Sequence, residues 1–345
     1  MIGHEPWLDE GYGFSLSYNI LLSGYSVIPT MAGLPFMEKP PLYYLLGAWS
    51  AQELQPWLAL YDSARLINVP LTACCLIALA AAARRRYDGE HWLYAPLLFL
   101  CSLGTWDACH RIITDVALIA GYTVALAGLV WADRRPLAGG FWMGVGAGMA
   151  FMSKGLLGPG MVGAGTLLLP ALSARYRRRA FLQTLAVAAL AASPWLLIWP
   201  ARLYLQSPEL FRNWLWVNNF GRYLGSGLGP REQFGFHLTT LFWQAWPALP
   251  LAAWATLQRY RQLPASAGAT AASLGAVALT ALAFALQAGK VYGLPLIAWL
   301  LWLCRRAGGP WIAVVACFAK TLLILSSASS ASPFAACCNT APASR

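Results

Sequence analysis

Asp9 and Glu10 are adjacent carboxylates near the start of LDEGYGFSLSYNILLSGYSVIPTMAGLPFMEKPPLYY, residues 8–44. Such a pair could take a proton from a nucleophile. It could equally begin a helix, because acids favour the first turn. The same stretch closes on Glu38-Lys39-Pro40-Pro41. A lysine set before two prolines is a point charge that could face a phosphate, or one half of a surface ion pair worth little. Asp115, in HRIITDVALIAG, falls about one helical turn inside an apolar run, where an ionisable group is costly and marks function by default. The plain alternative is a pair with Arg111, four residues earlier on one helix face. Lys154 in FMSKGLLGPG and Lys290 in QAGKVYGLP sit among glycines that would let a headgroup approach; snorkelling is the plain reading of each. His4, His91, His110 and His237 are scattered and show no HxxxH or HExxH spacing.

What positions these groups is an apolar scaffold. The chain is 59% hydrophobic and 11% charged, against roughly 25% charged in a soluble domain. That excess of apolar surface implies an all-α polytopic membrane protein. The net charge of +11 does not point to nucleic acid. Its arginines come in short clusters between apolar runs: Arg84-Arg85-Arg86, Arg134-Arg135, Arg175 with Arg177-Arg178-Arg179, Arg259 with Arg261, and Arg305-Arg306. These fall on every second loop, the pattern of cytoplasmic loops. On the other side stand single cations: Lys39, Arg65, Arg111, Lys154, Arg202, Arg212, Arg222, Arg231 and Lys290. Nearly all acids and bases outside the arginine-rich loops thus converge on one side. The 17 Trp and 14 Tyr suit interfacial belts. Of the eight Cys, Cys74, Cys75, Cys101, Cys304 and Cys317 lie in apolar segments as small hydrophobes, Cys109 lies near an outer end and Cys337 and Cys338 in the tail; without a CxxC they suggest neither a disulfide framework nor a thiolate metal site.

Apolar runs of roughly 17–25 residues predict about ten spans, near 61–83, 91–109, 111–131, 137–153, 156–172, 180–200, 234–256, 266–288, 291–304 and 309–325. Residues 1–60 then form a first outer loop, ahead of a bundle over 61–325 with a second outer loop at 201–233. In the first loop, residues 7–23 and 42–52 are expected to be helical, with Gly33 and Pro35 breaking the chain between them. In the second, Ser207 is an expected N-cap for an amphipathic helix over 208–220. The first residues lack a basic n-region and an apolar h-region, so no signal peptide is expected. The Ser/Ala/Pro composition of 326–345 reads as a disordered or frameshifted tail.

These residues resemble the first extracytoplasmic loop of bacterial polyprenyl-phosphate-sugar glycosyltransferases of the GT-C class. That group is related to protein O-mannosyltransferases and to the aminoarabinose transferases of lipid A. Asp9-Glu10, Ser23-Gly24, Pro29, Gly33, Pro35 and Glu38-Lys39-Pro40-Pro41-Leu42-Tyr43-Tyr44 match its DE-x-Y/R … SG … G-x-P-x-x-EKPPLYY pattern in order. ARLINVPLTA, HRIITDVAL, GAGMAFMSKGLLG, NNFGRYLG and GKVYGLPLIAWL also look similar.

The resemblance implies a GT-C-like bundle with amphipathic helices in its outer loops, in the bacterial inner membrane. It implies inverting transfer of a sugar from a polyprenyl-phosphate donor to an acceptor, either a lipid A-like glycolipid or a protein, at the extracytoplasmic face. Asp9 would activate the acceptor and Asp115 would be its partner. Lys39 would neutralise the departing phosphate, with Arg111, Lys154, Arg222 and Lys290 as further candidates. Glu10, Glu38, Tyr43 and Arg65 would complete the substrate site. Metal use varies across the class; Glu38 could help hold a divalent cation, and the sequence names no ion. The family pattern places a membrane helix before the DE motif and more spans at the far end, so a copy lacking the first helix and the C-terminal part is expected. Two other readings stay open. One is a transporter or flippase for a lipid-linked or anionic substrate; the other is an inactive truncated homologue.

Overall fold

The structure is a computed structural model that describes residues 8–24, 27–85, 91–172, 174–221 and 246–247. Those residues fold as an almost wholly helical bundle. Helix α1 (Leu8–Ser23) leads through a two-stranded hairpin, β1 (Thr30–Met31) and β2 (Leu34–Pro35), to α2 (Leu42–Leu54). The strands pair antiparallel with Thr30 opposite Pro35. Gly33 takes a positive φ of 80° in the connecting turn, a conformation open to a residue without a Cβ. The expected break at Gly33 and Pro35 is therefore a hairpin.

The bundle proper follows. It comprises α3 (Leu60–Arg65), α4 (Asn68–Arg84), α5 (Tyr94–Leu100), α6 (Leu103–His110), α7 (Asp115–Ala132), α8 (Pro136–Lys154), α9 (Leu157–Leu172) and α10 (Arg179–Gln206). Among the described residues, three stretches are long and apolar enough to cross a membrane: Leu60–Arg84, Asp115–Ala132 and Arg179–Gln206. These agree with the predicted spans 61–83, 111–131 and 180–200, and α8 and α9 occupy 137–153 and 156–172. The span expected over 91–109 is not one helix. It is α5 and α6, separated at Cys101-Ser102. The Ser102 hydroxyl donates back to the Leu98 carbonyl at 2.6 Å, a local bond that competes with helix continuation. The Leu103 amide, left without a helical acceptor, donates to the Trp246 carbonyl at 3.1 Å. The four spans expected beyond residue 233 and the tail lie outside the described residues.

Helix α7 is the axis of the bundle. Every residue in it but Trp131 is buried. Its closest neighbour is α8, and the two approach so tightly because glycines line the contact. A Cβ on Gly121 would lie 2.6 Å from the Ala150 nitrogen and the Gly146 carbonyl oxygen. One on Gly128 would collide with the Met143 amide, and one on Gly139 with the backbone of Ala132. Small residues at such spacing let backbones meet where lipid supplies no hydrophobic drive. Helix α10 packs on the opposite face of α8, where Gly140 meets the Thr184 carbonyl and Gly148 meets the Trp195 ring.

Beyond α10, Ser207 caps α11 (Pro208–Arg212), its hydroxyl accepting from the Leu210 amide at 3.3 Å. A π-helical stretch, Asn213–Gly221, continues it. The single amphipathic helix expected over 208–220 is thus two geometries in one rod.

The glycine seam yields the first prediction. Gly128→Leu should destabilise the detergent-solubilised protein by about 1–3 kcal/mol or more through overpacking. Gly160→Ala, where an added Cβ meets nothing within 4 Å, should stay within about 1 kcal/mol of the parent. Thermal unfolding followed by circular dichroism separates the two, and equal effects would count against the seam.

Candidate active site

The antiparallel helices give the bundle two chemically distinct ends. At one end the starts of α4, α7 and α9 meet the ends of α6, α8 and α10. The first loop covers this end, and its polar groups are built into the fold.

Helix α1 lies directly on the α6–α7 turn. A Cβ on Gly13 would stand 2.6 Å from the Ile112 carbonyl oxygen. This closeness lets Glu10 accept from the Ile112 amide at 2.8 Å. Glu10 also lies 3.6 Å from the Arg65 Nε, and Arg65 in turn reaches Asp62 at 3.1 Å. The Arg65 guanidinium sits 4.3 Å from the Tyr61 ring centroid. Both Glu10 and Arg65 are fully buried. Tyr43, buried as well, donates to Asn68 Oδ1 at 2.8 Å, and Asn68 Nδ2 donates to the carbonyls of Cys109 and Arg111 at 3.0 and 2.7 Å. These bonds tie α1, α2, α3, α4 and the α6–α7 turn into one polar frame.

Inside the frame lies a second group. Asp115 is the first residue of α7, where a carboxylate suits the helix dipole, and it is fully buried. Its partner is Lys154, the last residue of α8, at 2.8 Å. The α7–α8 hairpin makes this pairing, bringing together residues 39 apart in the chain. The turn after Lys154 is held from outside. Gly155 has a φ of 67°, and Asn219 accepts from the Leu156 amide at 3.0 Å while donating to the Trp214 carbonyl at 2.8 Å.

Lys39 completes the group. It is buried, donates to the Tyr12 hydroxyl and sits 4.9 Å from that ring's centroid. Burial works against its ammonium, but Tyr12, Glu38 and Asp115 more than offset this and hold its pKa above the ordinary lysine value. Lys39 is therefore cationic at neutral pH. Stability from its contact with Tyr12 is fully present below 10.5 and is lost only as the pH rises through the raised value. Lys154 is within electrostatic reach of Lys39 and Glu38. Glu38, Lys39, Asp115 and Lys154 thus form one cluster.

The loop that carries Lys39 is anchored on both sides. Met37 is buried among Phe151, Trp199, Leu203 and Trp214. Phe36 packs against Tyr12 and Tyr44, at centroid separations of 5.7 and 6.2 Å. Trp199 Nε1 donates to the Val27 carbonyl at 3.0 Å.

Several sequence-level expectations are placed by this geometry. Asp115 takes Lys154, and Arg111 has a carboxylate partner of its own on α6. Arg111 pairs with Asp107 at 2.7 Å, because it follows α6 and the turn separates it from α7. Asp9 lies in the first turns of α1; its side chain is outside the described residues, as are Arg222 and Lys290. Tyr12, Asn68 and Asn219 were not singled out from the sequence. Tyr12 stands in the DE-x-Y pattern, and that position was the available signal. Asn68 and Asn219 stand in ARLINVPLTA and NNFGRYLG, and their place in those strings was the available signal. Among the described residues, no three His, Cys, Asp or Glu side chains gather as a metal site would need.

The architecture is that of a GT-C-like membrane helix bundle. It superposes on the crystal structure of ArnT from Cupriavidus metallidurans bound to undecaprenyl phosphate with a TM-score of 0.63, at 17% identity, covering 93% of this chain and 55% of that one. The apo form of the same protein gives 0.65 at 18% identity.

The similar curated proteins are undecaprenyl phosphate-α-4-amino-4-deoxy-L-arabinose arabinosyl transferases. The Sodalis glossinidius protein is 27% identical over 253 residues, covering 70% of this chain and 44% of the relative. That of Edwardsiella ictaluri is 26% identical over 300 residues, covering 84% and 53%. No family model matches the chain. The chain spans about half the length of the curated relatives it matches. The resemblance read from the DE and EKPP motifs is borne out by these matches.

Lys154→Met should leave Asp115 buried without its cation, at a cost of about 3–5 kcal/mol. Removing both charges, as Asp115→Asn with Lys154→Met, should cost less than the two single changes together. Denaturant titration in detergent reads the cycle, and strict additivity would reject the pairing.

Proposed function

We infer that the chain is a membrane glycosyltransferase, or the part of one that carries its reaction centre. It moves a sugar from a polyprenyl-phosphate donor to an acceptor hydroxyl. By similarity to relatives named for aminoarabinose transfer, the sugar is an amino-pentose on undecaprenyl phosphate and the acceptor is a lipid A-type glycolipid. The observation that carries this reading is the buried Lys39, held by Tyr12 in a loop pinned by Met37, at the end of the bundle where Asp115 and Lys154 pair. A transfer site needs a cation for the phosphate that leaves and a carboxylate for the hydroxyl that attacks.

In this reading the acceptor oxygen attacks the anomeric carbon from the face opposite the phosphate, inverting that centre. The bond from that carbon to the phosphate oxygen breaks, and the bond electrons leave with polyprenyl phosphate. The acceptor proton passes to a carboxylate, assigned to Asp9. Lys39, oriented by Tyr12, meets the negative charge that grows on the phosphate. Lys154, paired with Asp115 at 2.8 Å, holds it in place as the second carboxylate of the centre. Glu10 and Arg65 act through structure, holding α1 and with it Asp9 against the α6–α7 turn. The arginine clusters at the far end support a cytoplasmic location for that end and an outer-face location, at the inner membrane, for the reaction centre.

Purified protein in liposomes with a radiolabelled polyprenyl-phosphate sugar and lipid A tests this. Asp9→Asn should lower transfer by about 10²–10⁴-fold and leave binding of undecaprenyl phosphate intact. Lys39→Met should lower transfer by about 10²–10³-fold and weaken undecaprenyl-phosphate binding as well. Donor movement across the bilayer with no transfer product in the parent protein would instead identify a flippase.

A further inference from the structure

The far end of the bundle holds a groove of about 870 Å³ between α4, α5 and α7, on the side away from the Asp115–Lys154 cluster. Three guanidinium groups line it: Arg84 and Arg85 from the end of α4, and Arg134 just after α7. Arg84 and Arg134 are exposed and Arg85 is half-buried. Two of them are oriented by aromatic faces, with Arg84 4.5 Å from the Trp92 centroid and Arg85 5.5 Å from that of Trp131. Trp131 is itself fixed, its indole donating to the Ala81 carbonyl at 3.2 Å. Asp133 flanks the cluster and offsets part of its charge.

The rest of the wall is apolar. Leu76, Ile77 and Pro96 continue the groove along the bundle toward its middle. Ile77 is 69% exposed, and Leu97 on the neighbouring turn of α5 is 50% exposed. A cationic mouth at the membrane edge, opening onto an exposed aliphatic wall, has the shape of a lipid. Guanidinium forks match phosphate oxygens, and basic pockets between membrane helices suit anionic headgroups. A soluble anion would use the mouth and leave the wall unexplained.

We propose that this groove binds an anionic phospholipid of the leaflet at the arginine-rich end, its phosphodiester held by Arg84, Arg85 and Arg134 and one acyl chain lying along Leu76 and Ile77. The site is separate from the donor site and does not depend on the transferase reading.

The test is native mass spectrometry of the full chain in detergent with added phosphatidylglycerol, phosphatidylcholine or inorganic phosphate. Phosphatidylglycerol should be retained at least about tenfold more strongly than phosphatidylcholine, at roughly one factor of five per cationic contact. The triple variant Arg84→Gln/Arg85→Gln/Arg134→Gln should lose that preference, and Arg84→Lys/Arg85→Lys/Arg134→Lys should keep most of it. Equal retention of the two lipids, unchanged retention in the glutamine variant, or full displacement by inorganic phosphate would each overturn the proposal. Should the triple variant aggregate, Arg134→Gln alone, at an exposed site, must still weaken phosphatidylglycerol retention several-fold with an unchanged gel-filtration profile. Unchanged retention there would overturn it too.

Discussion

A buried charge inside an apolar bundle has to be matched, and the structure depends on how that matching is done. Asp115 and Glu10 are fully buried, and each is answered by a cation delivered from a different helix. An unpaired ion there would cost several kcal/mol, more than most single contacts could offset. The pairs therefore fix which helix ends meet. The start of α7 must lie beside the end of α8, and α1 must lie on the α6–α7 turn. Glycines at the α7–α8 contact make the first possible, and Gly13 makes the second possible. Small residues and buried charges are thus two halves of one arrangement. The glycines bring backbones within reach, and the charges set the register.

The first loop extends this logic outside the bundle. Extended chain over a membrane surface has little to hold it, yet Lys39 is buried. Anchors on both sides account for that. Met37 sits in a pocket of tryptophan and phenylalanine from α8, α10 and the π-helical stretch, while Phe36 packs against Tyr12 and Tyr44. Tyr12 then serves two partners, one ring contact to Phe36 and one polar contact to Lys39. A cation held this way is pre-positioned by the fold itself.

The two ends of the bundle are chemically unlike. One end carries single cations matched to carboxylates within the fold. The other carries clustered arginines whose partners include tryptophan faces and the surroundings. That polarity separates the buried Asp115–Lys154 pair from the arginine-lined groove.

Much of this was legible without coordinates. Composition and the alternation of arginine clusters determined the helical bundle, its up-and-down order and the side on which Lys39, Arg111, Asp115 and Lys154 gather, because hydropathy and charge are local properties of a strand of sequence. The DE and EKPP strings carried the resemblance that the similar proteins bear out. Only the tertiary structure decided the partners. Asp115 meets Lys154 because the α7–α8 hairpin brings them together across 39 residues, and Arg111 pairs with Asp107 at the end of α6. The predicted span over 91–109 divides at Cys101-Ser102, where the Ser102 hydroxyl bonds back to the Leu98 carbonyl and the Leu103 amide turns to Trp246. Asn68 and Asn219 stand in strings the sequence singled out, but only folding gives them the backbone groups that they bond.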